Sequence, residues 1–252
     1  MNISAVIITK NEERNIGRCL DSLKPVVDEL IVVDSGSTDA TEQICRDAGA
    51  SFVFHPWEGF SEQKNFAETL ARYDWILSID ADEALSGTLK ESILKIKEKE
   101  PTVATVFSMR RLTNFCGQWI KHCGWYPDEK TRLWRKGTAH WDGVVHEQII
   151  FSDNPATILL NGDLFHYSYY SFTELAERQN HYATLAAQKE FKRGKKGSTM
   201  AVIVKPCWKF IRDYFFKLGI LDGYAGYTIC RTNAYYTFVK YTTLKDLARR
   251  NQ

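Results

Sequence analysis

The sequence has almost no net charge: 33 Lys and Arg stand against 31 Asp and Glu in 252 residues. Bulk electrostatics therefore gives no reason to expect a nucleic-acid partner, and any basic patch must be local. The six cysteines form no CxxC pair. Their scatter favours free thiols in a reducing compartment over a disulfide framework. Cys116, His122 and Cys123 lie close together, but no second ligand pair with zinc-site spacing follows. No window of about 18 uninterrupted apolar residues exists, which excludes a clear transmembrane helix. The apolar run near the N-terminus is too short for a signal-peptide core and has no basic region before it. The expectation is a cytoplasmic protein. There is no GxGxxG after that run and no GxxxxGK[ST] anywhere, which weighs against dinucleotide oxidoreductases and P-loop enzymes. Internal repeats and low-complexity tracts are missing too.

What is present is an ordinary globular composition, 44% hydrophobic and 25% charged. The length suits one well-buried α/β domain, or a domain with an appendage. Ile3 to Thr9 is a β-branched run that suits a strand buried on both faces of a parallel sheet. Ile16, Cys19, Leu20 and Leu23 follow at helical spacing, closed by Pro25. Glu29 to Val33 predicts a second strand, Ser51 to Phe54 a third and Trp75 to Ile79 a fourth, with helices between. This rhythm predicts βαβ units with right-handed crossovers. Beyond Asp82 the pattern loosens: a helix over Leu89 to Glu98, a strand over Val103 to Leu112, then loops with short strands over 113–150. Phe172 to Phe191 reads as a long helix, and the basic stretch 189–197 as a hinge. The expected division is a catalytic domain over 1–197 and a helical extension over 198–252.

Three polar clusters stand at carboxyl ends of predicted strands. They are Thr9-Lys10-Asn11-Glu12, Asp34 with Ser35-Gly36-Ser37-Thr38-Asp39, and Asp80-Ala81-Asp82-Glu83. In an open α/β sheet those ends line one crevice, where ligands bind. Each cluster taken alone also fits a helix start, a helix cap or a solvated turn. The spacing of Asp80 and Asp82 adds weight, because residues i and i+2 in extended backbone point to the same side. Two such carboxylates repel unless a cation lies beside them, and Mg²⁺ or Mn²⁺ prefers oxygen ligands next to substrate phosphates. With no glycine cradle, a diphosphate would need that metal for neutralisation.

The segments "VIITKNEERNI", "ELIVVDSGSTDAT" and "WILSIDADE" resemble the opening of glycosyltransferase family 2, inverting enzymes of GT-A fold. The resemblance covers roughly residues 3–150. "TRLWRKGTAHWDGVVHEQI" and "LFHYSYYS" resemble a narrower branch, the glucosyltransferases of the lipopolysaccharide inner core. The fold implied is α/β: a Rossmann-like, mixed and mainly parallel sheet with a C-terminal helical extension. The activity implied is metal-dependent transfer of a sugar, glucose from UDP-glucose as the specific expectation, to a lipopolysaccharide core or other glycolipid acceptor.

The resemblance also implies roles. Thr9, Asn11, Glu12, Asp34, Ser35 and Asp80 are expected along the nucleotide, with Asp34 accepting from the base. Asp80 is expected against ribose and metal, Asp82 as a ligand of Mg²⁺ or Mn²⁺, and His166 as a further metal or diphosphate contact. His166 equally fits a packed histidine near a strand end. The family takes its catalytic base from a loop beyond the fourth strand, which implies Glu147, with Asp142 in reserve. Arg132 and Arg135 read as solvated arginines, with phosphate contact the alternative. The aromatic and basic helices after residue 198 fit either a membrane interface or a packed cap; the resemblance favours peripheral attachment to the inner face of the cytoplasmic membrane. Alternative activities are a sugar nucleotidyltransferase, which usually carries a glycine-rich basic loop where Thr9 to Glu12 stand, and a non-catalytic nucleotide-sugar binding module.

Overall fold

The computed structural model describes residues 1–101, 105–143 and 148–250. The chain runs β1 (Ile3–Thr9), α1 (Ile16–Leu23), β2 (Glu29–Asp34), α2 (Thr41–Asp47), β3 (Ser51–Phe54), α3 (Phe60–Leu70), β4 (Trp75–Asp80), β5 (Glu83–Leu85) and α4 (Gly87–Glu98). It continues through β6 (Thr105–Phe115), β7 (Gln118–Ile120), β8 (Asp128–Arg135), β9 (Ala139–Asp142), β10 (Gln148–Phe151) and β11 (Ala156–Tyr169). The last part is helical: α5 (Phe172–Lys192), α6 (Thr199–Ile211), a π-helical turn (Arg212–Phe216), a 3-10 turn (Gly219–Asp222) and α7 (Gly223–Arg250).

The chain forms two compact units. The first comprises 1–111 and 128–167, the second 112–127 and 168–252. The division falls at other positions than the expected boundary at 197, because α5 packs along α7 and so belongs with the C-terminal helices.

In the first unit the sheet order is β3-β2-β1-β4-β8-β6-β11-β5. The β3-β2-β1-β4 half is parallel. β8 then pairs antiparallel with both β4 and β6, and β11 antiparallel with β5. β1 shows why this half folds as it does. Ile3, Ala5 and Ile7 point into one core with Ile16, Leu20 and Leu23 of α1. Val6, on the opposite face, joins a second core with Ala67 of α3, Trp134 and Trp141. Alternating side chains of one strand thus anchor two layers, and each fully buried large aliphatic contributes about 1.5–3 kcal/mol.

The second unit has its own core, in which Phe115, Ile120 and Cys123 meet Leu175 of α5 and Ala225, Ile229 and Cys230 of α7. All six cysteines are unbridged.

β8 lies well inside the sheet, although residues 113–150 were expected as loops with short strands. Five of the eight residues of its sequence, DEKTRLWR, are charged, so the strand carries no clean apolar period. The charges are there because β8 carries an ion network described below.

Glu68 of α3 is buried in the layer of Trp134 and Trp141. Burial pushes its carboxyl up to about 7, against the pull of the two indole N–H groups and Lys136. A folded-state value raised above the unfolded one means stability that is fully present below the unfolded value of 4.5 and is lost as pH rises through about 7. Glu68→Gln should therefore gain stability relative to the parent across that window, on the order of 3 kcal/mol at about pH 8. Urea midpoints at about pH 4 and pH 8 check this; a stability difference that does not change with pH would exclude it.

Candidate active site

Strand register brings the three polar clusters to one sheet edge. Thr9 is the register partner of Asp34, and Ile8 that of Asp80. The first two clusters are hydrogen-bonded to one another. Asn11, at φ 54°, takes a hydrogen bond from Thr38 N on its Oδ1 and donates its own N–H to Ser37 Oγ, both at 2.8 Å. Glu12 N donates to Thr41 Oγ1 at 2.8 Å and Glu13 N to Asp39 Oδ2 at 3.1 Å. Glu12 Oε2 accepts from Asn15 Nδ2 at 2.8 Å. Ser35 N donates to Thr9 O at 3.1 Å.

Asp34 is buried and braces its own turn, accepting from Gly36 N at 2.7 Å, Ser37 N at 2.8 Å and Ser37 Oγ. Gly36 has φ 94°, a conformation costly for other residues. The Thr9 hydroxyl is buried, with no partner among the described residues.

The third cluster is arranged differently from the expectation. β4 ends at Asp80, and the chain turns at Ala81-Asp82 to return as β5. The argument that Asp80 and Asp82 share one side of an extended strand therefore fails, and the two carboxylates engage different partners. Asp80 Oδ1 meets Lys64 Nζ at 2.8 Å and Oδ2 meets Arg132 at 2.7 Å. Burial alone would raise its pKa, but the two cations outweigh it and hold the carboxyl well below the usual range. Asp82 Oδ2 lies 3.2 Å from His166 Nε2. His166 is fixed there by β11, whose register sets it opposite Glu83, and by Tyr167 N, which donates to Asp82 O at 2.8 Å. The Tyr167 ring in turn carries the Arg18 guanidinium at 3.7 Å.

Arg132 is not a solvated arginine. It is 3% exposed and also binds Glu83 Oε1 at 2.6 Å. Burial would lower its pKa, but Asp80 and Glu83 raise it. Glu83, fully buried, further accepts Asp80 N at 3.1 Å and faces Arg111 at 3.5 Å; Arg111 binds Asp128 at 2.7 Å, and Asp128 binds Lys130 at 3.0 Å. Charges alternate in sign along Lys64, Asp80, Arg132, Glu83, Arg111, Asp128 and Lys130. Arg135 instead pairs at the surface with Glu100 at 2.6 Å.

Lys64, Arg111 and Asp128 were not expected from the sequence, and Glu83 stood in the third polar cluster without a role of its own. Only Glu83 had a signal, its place in the acidic run after Asp80. The others lie on strands and a helix whose pairing no spacing rule announces.

Lys64 also sits 4.4 Å over the Trp141 ring. α3 clips β9 by two hydrogen bonds between Asn65 and the Trp141 backbone, at 2.8 and 2.9 Å, and by Ser61 Oγ donating to Gly143 O at 2.8 Å. Asp142 ends β9 exposed. Glu147 lies outside the described residues.

For a divalent cation the chain offers the Asp82 carboxylate, an oxygen donor of the kind Mn²⁺ or Mg²⁺ takes beside phosphate oxygens, with the His166 imidazole 3.2 Å from it. Among the described residues no group of three or more His, Cys, Asp or Glu forms a metal cage. Replacing Arg132 by Met should cost about 3–5 kcal/mol, because the fully buried Glu83 loses its 2.6 Å cation and keeps only Arg111 at 3.5 Å. A urea-midpoint change corresponding to less than about 1 kcal/mol would show that the alternating ion chain is not structural.

A model of "Glycosyl transferase family 2" matches residues 4–152. A glycosyltransferase of Rickettsia prowazekii, itself uncharacterized, is 32% identical over 99% of this chain and 89% of its own length. The lipopolysaccharide core biosynthesis glycosyltransferase LpsC of Rhizobium meliloti is 31% identical over 94% of this chain and 89% of its own. A solved structure of glucosyl-3-phosphoglycerate synthase from Mycobacterium tuberculosis, with Mn²⁺, UDP and glucosyl-3-phosphoglycerate, aligns at 27% identity and TM-score 0.37, over 45% of this chain and 44% of that one. With the family model covering more than half of the chain and relatives matching nearly all of it, the protein belongs to glycosyl transferase family 2.

Proposed function

We propose that the chain transfers a sugar with inversion from a nucleoside diphosphate donor to a glycolipid acceptor, glucose from UDP-glucose to a lipopolysaccharide core sugar being the specific reading. The observation that carries it is the convergence of Thr9, Asp34 and Asp80 on one sheet edge, with Asp82 and His166 3.2 Å apart beside them. The relative acting in lipopolysaccharide core biosynthesis, similar over nearly the whole chain, supports the acceptor class.

Thr9, Asn11, Glu12, Asp34, Ser35 and Asp80 would line the nucleoside. Because both Asp80 oxygens are engaged by cations, the metal falls to Asp82 and His166 in this reading. A bound Mg²⁺ or Mn²⁺ would stabilise negative charge on the departing diphosphate. Glu147 would take the proton of the acceptor hydroxyl as its oxygen bonds to the anomeric carbon and the bond to the diphosphate breaks, a contribution of about 10²–10⁴-fold. Asp142 is the reserve base. Lys64 and Arg132 hold Asp80 ionised, and Glu83 orients it by binding Arg132 and accepting Asp80 N, so all three are positioning residues.

The segment 198–252 is assigned to peripheral attachment on the inner face of the cytoplasmic membrane. Among the described residues no helix is long and apolar enough to cross a membrane, yet α6 has no buried residue and exposes Met200, Ile203, Val204 and Trp208.

Calorimetry with UDP, GDP and ADP, each with and without Mn²⁺, tests the donor site. UDP should bind about tenfold or more tightly with metal, a difference of about 1.4 kcal/mol, and Asp82→Ala should lose that gain. Absence of binding by all three nucleotides would overturn the reading. Metal-dependent binding without transfer to any sugar acceptor would support a binding module instead. Glu147→Gln should keep UDP binding and lose about 10²–10⁴-fold in turnover; near-parental turnover would remove Glu147 as base.

A further inference from the structure

Within the second unit, the exposed apolar face of α6 continues past the helix. Met200, Ile203, Val204 and Trp208 recur at helical spacing, and Phe215, Phe216, Leu218 and Leu221 extend the patch through the two turns that follow. Phe216 is 70% exposed and Leu221 64%. Large exposed apolar side chains in such number mark an interaction surface.

The charges around this surface have one sign. From residue 199 to 224 the only acids are Asp213 and Asp222, and both are buried. Asp213 is held by Lys209 and by Arg212 at 3.0 Å. Asp222 accepts His122 N at 2.8 Å and faces His122 Nδ1 at 2.8 Å. No acid therefore reaches the surface of this segment, whereas Lys121 and Lys217 do, and neither enters an ion pair among the described residues.

These two lysines line one cavity of about 410 Å³ with His122, Tyr126, Phe216 and Leu218. Four features show that its walls are fixed. Cys123 N donates to Lys217 O at 3.1 Å, tying the two segments together. A Cβ on Gly124 would lie 2.5 Å from Lys217 Nζ, so glycine there leaves room for the ammonium group. Leu218 has φ 54°, a strained conformation for a bulky residue, and is half exposed beside the cavity. The Asp222 carboxylate takes the Nδ1–H of His122, which fixes the ring at the cavity wall.

The geometry points to a lipid-phosphate site: Lys121 and Lys217, beside the His122 wall, receive the phosphate of an anionic membrane lipid, while Phe216, Leu218 and Leu221 enter the apolar layer beside it. A basic cavity flanked by exposed aromatic and aliphatic side chains is complementary to an anionic bilayer surface. A second copy of this chain would instead bring like charge against it. This inference rests on the membrane attachment proposed above and names where and how it occurs.

Flotation of the full-length protein with vesicles tests it. Vesicles of phosphatidylcholine with about one third phosphatidylglycerol should capture the protein at moderate salt, and pure phosphatidylcholine should not. Lys121→Ala with Lys217→Ala should weaken capture about 5-fold per lysine, the equivalent of about 1 kcal/mol each. Phe216→Ser with Leu221→Ser should weaken it at least as much. UDP binding with Mn²⁺, measured on each variant, should be unchanged, which separates loss of the surface from loss of the fold or the donor site. If the parent floats and the lysine variant floats equally well, the phosphate site is wrong while membrane attachment stands. If the parent binds neither vesicle, both fall. A parent that sediments as a dimer, and as a monomer after Phe216→Ser, would assign the surface to a second copy and overturn the lipid site.

Discussion

The Arg132 guanidinium, 3% exposed and shared between Asp80 at 2.7 Å and Glu83 at 2.6 Å, is the interaction on which the site depends. Strand β4 delivers Asp80 to the sheet edge, and the tight return into β5 delivers Glu83 to the interior. Two carboxylates at such close sequence distance would repel in a buried setting without a cation between them. Arg132 supplies it, and its fork allows both partners to be satisfied at once. Because β8 must carry that arginine next to β4, the strand is polar in sequence and central in the sheet. Arg111, Asp128 and Lys130 extend the compensation outward, so that the buried charge ends at the surface.

The remainder of the site is held by short backbone contacts more than by side-chain packing. The loops after β1 and β2 exchange hydrogen bonds between Asn11 and Ser37-Thr38, and between Glu12-Glu13 and Asp39-Thr41. Asp34 uses its carboxylate to brace its own turn. These contacts fix the rotamers of the groups at this edge, which lowers the ordering cost of binding any ligand there. On the other side, the β5–β11 pairing sets His166 beside Asp82, although 84 positions of sequence (166 less 82) separate them. α3 links these parts to β9, since one helix carries Lys64 to Asp80 and Asn65 to the Trp141 backbone.

The second unit follows another physical logic. Its core of Phe115, Ile120, Leu175 and Ile229 is well buried, but α6 contributes nothing buried to it. α6 is largely apolar, packs Phe210 against that core, and leaves Met200, Ile203, Val204 and Trp208 exposed. The burial of Asp213 and Asp222 leaves no acid at the surface of residues 199–224, and this combination is the basis of the membrane contact proposed above.

The sequence by itself determined the parallel half of the sheet, because β1, β2 and β4 are short, mostly apolar runs and the helices between them carry a helical period. It also determined that Thr9, Asn11, Glu12, Asp34, Ser35 and Asp80 share one edge, since strand ends in such a sheet must converge there. It did not reveal that β8 is a central strand, because charge neutralisation overrode the apolar alternation that marks strands. Nor did it reveal that Asp80 and Asp82 diverge: the turn at Ala81-Asp82 is imposed by the pairing of β5 with β11, a contact between distant segments. Local patterns fix what each segment can be, whereas the pairing of buried charges across 132 and 80, or 111 and 83, exists only once the sheet has closed.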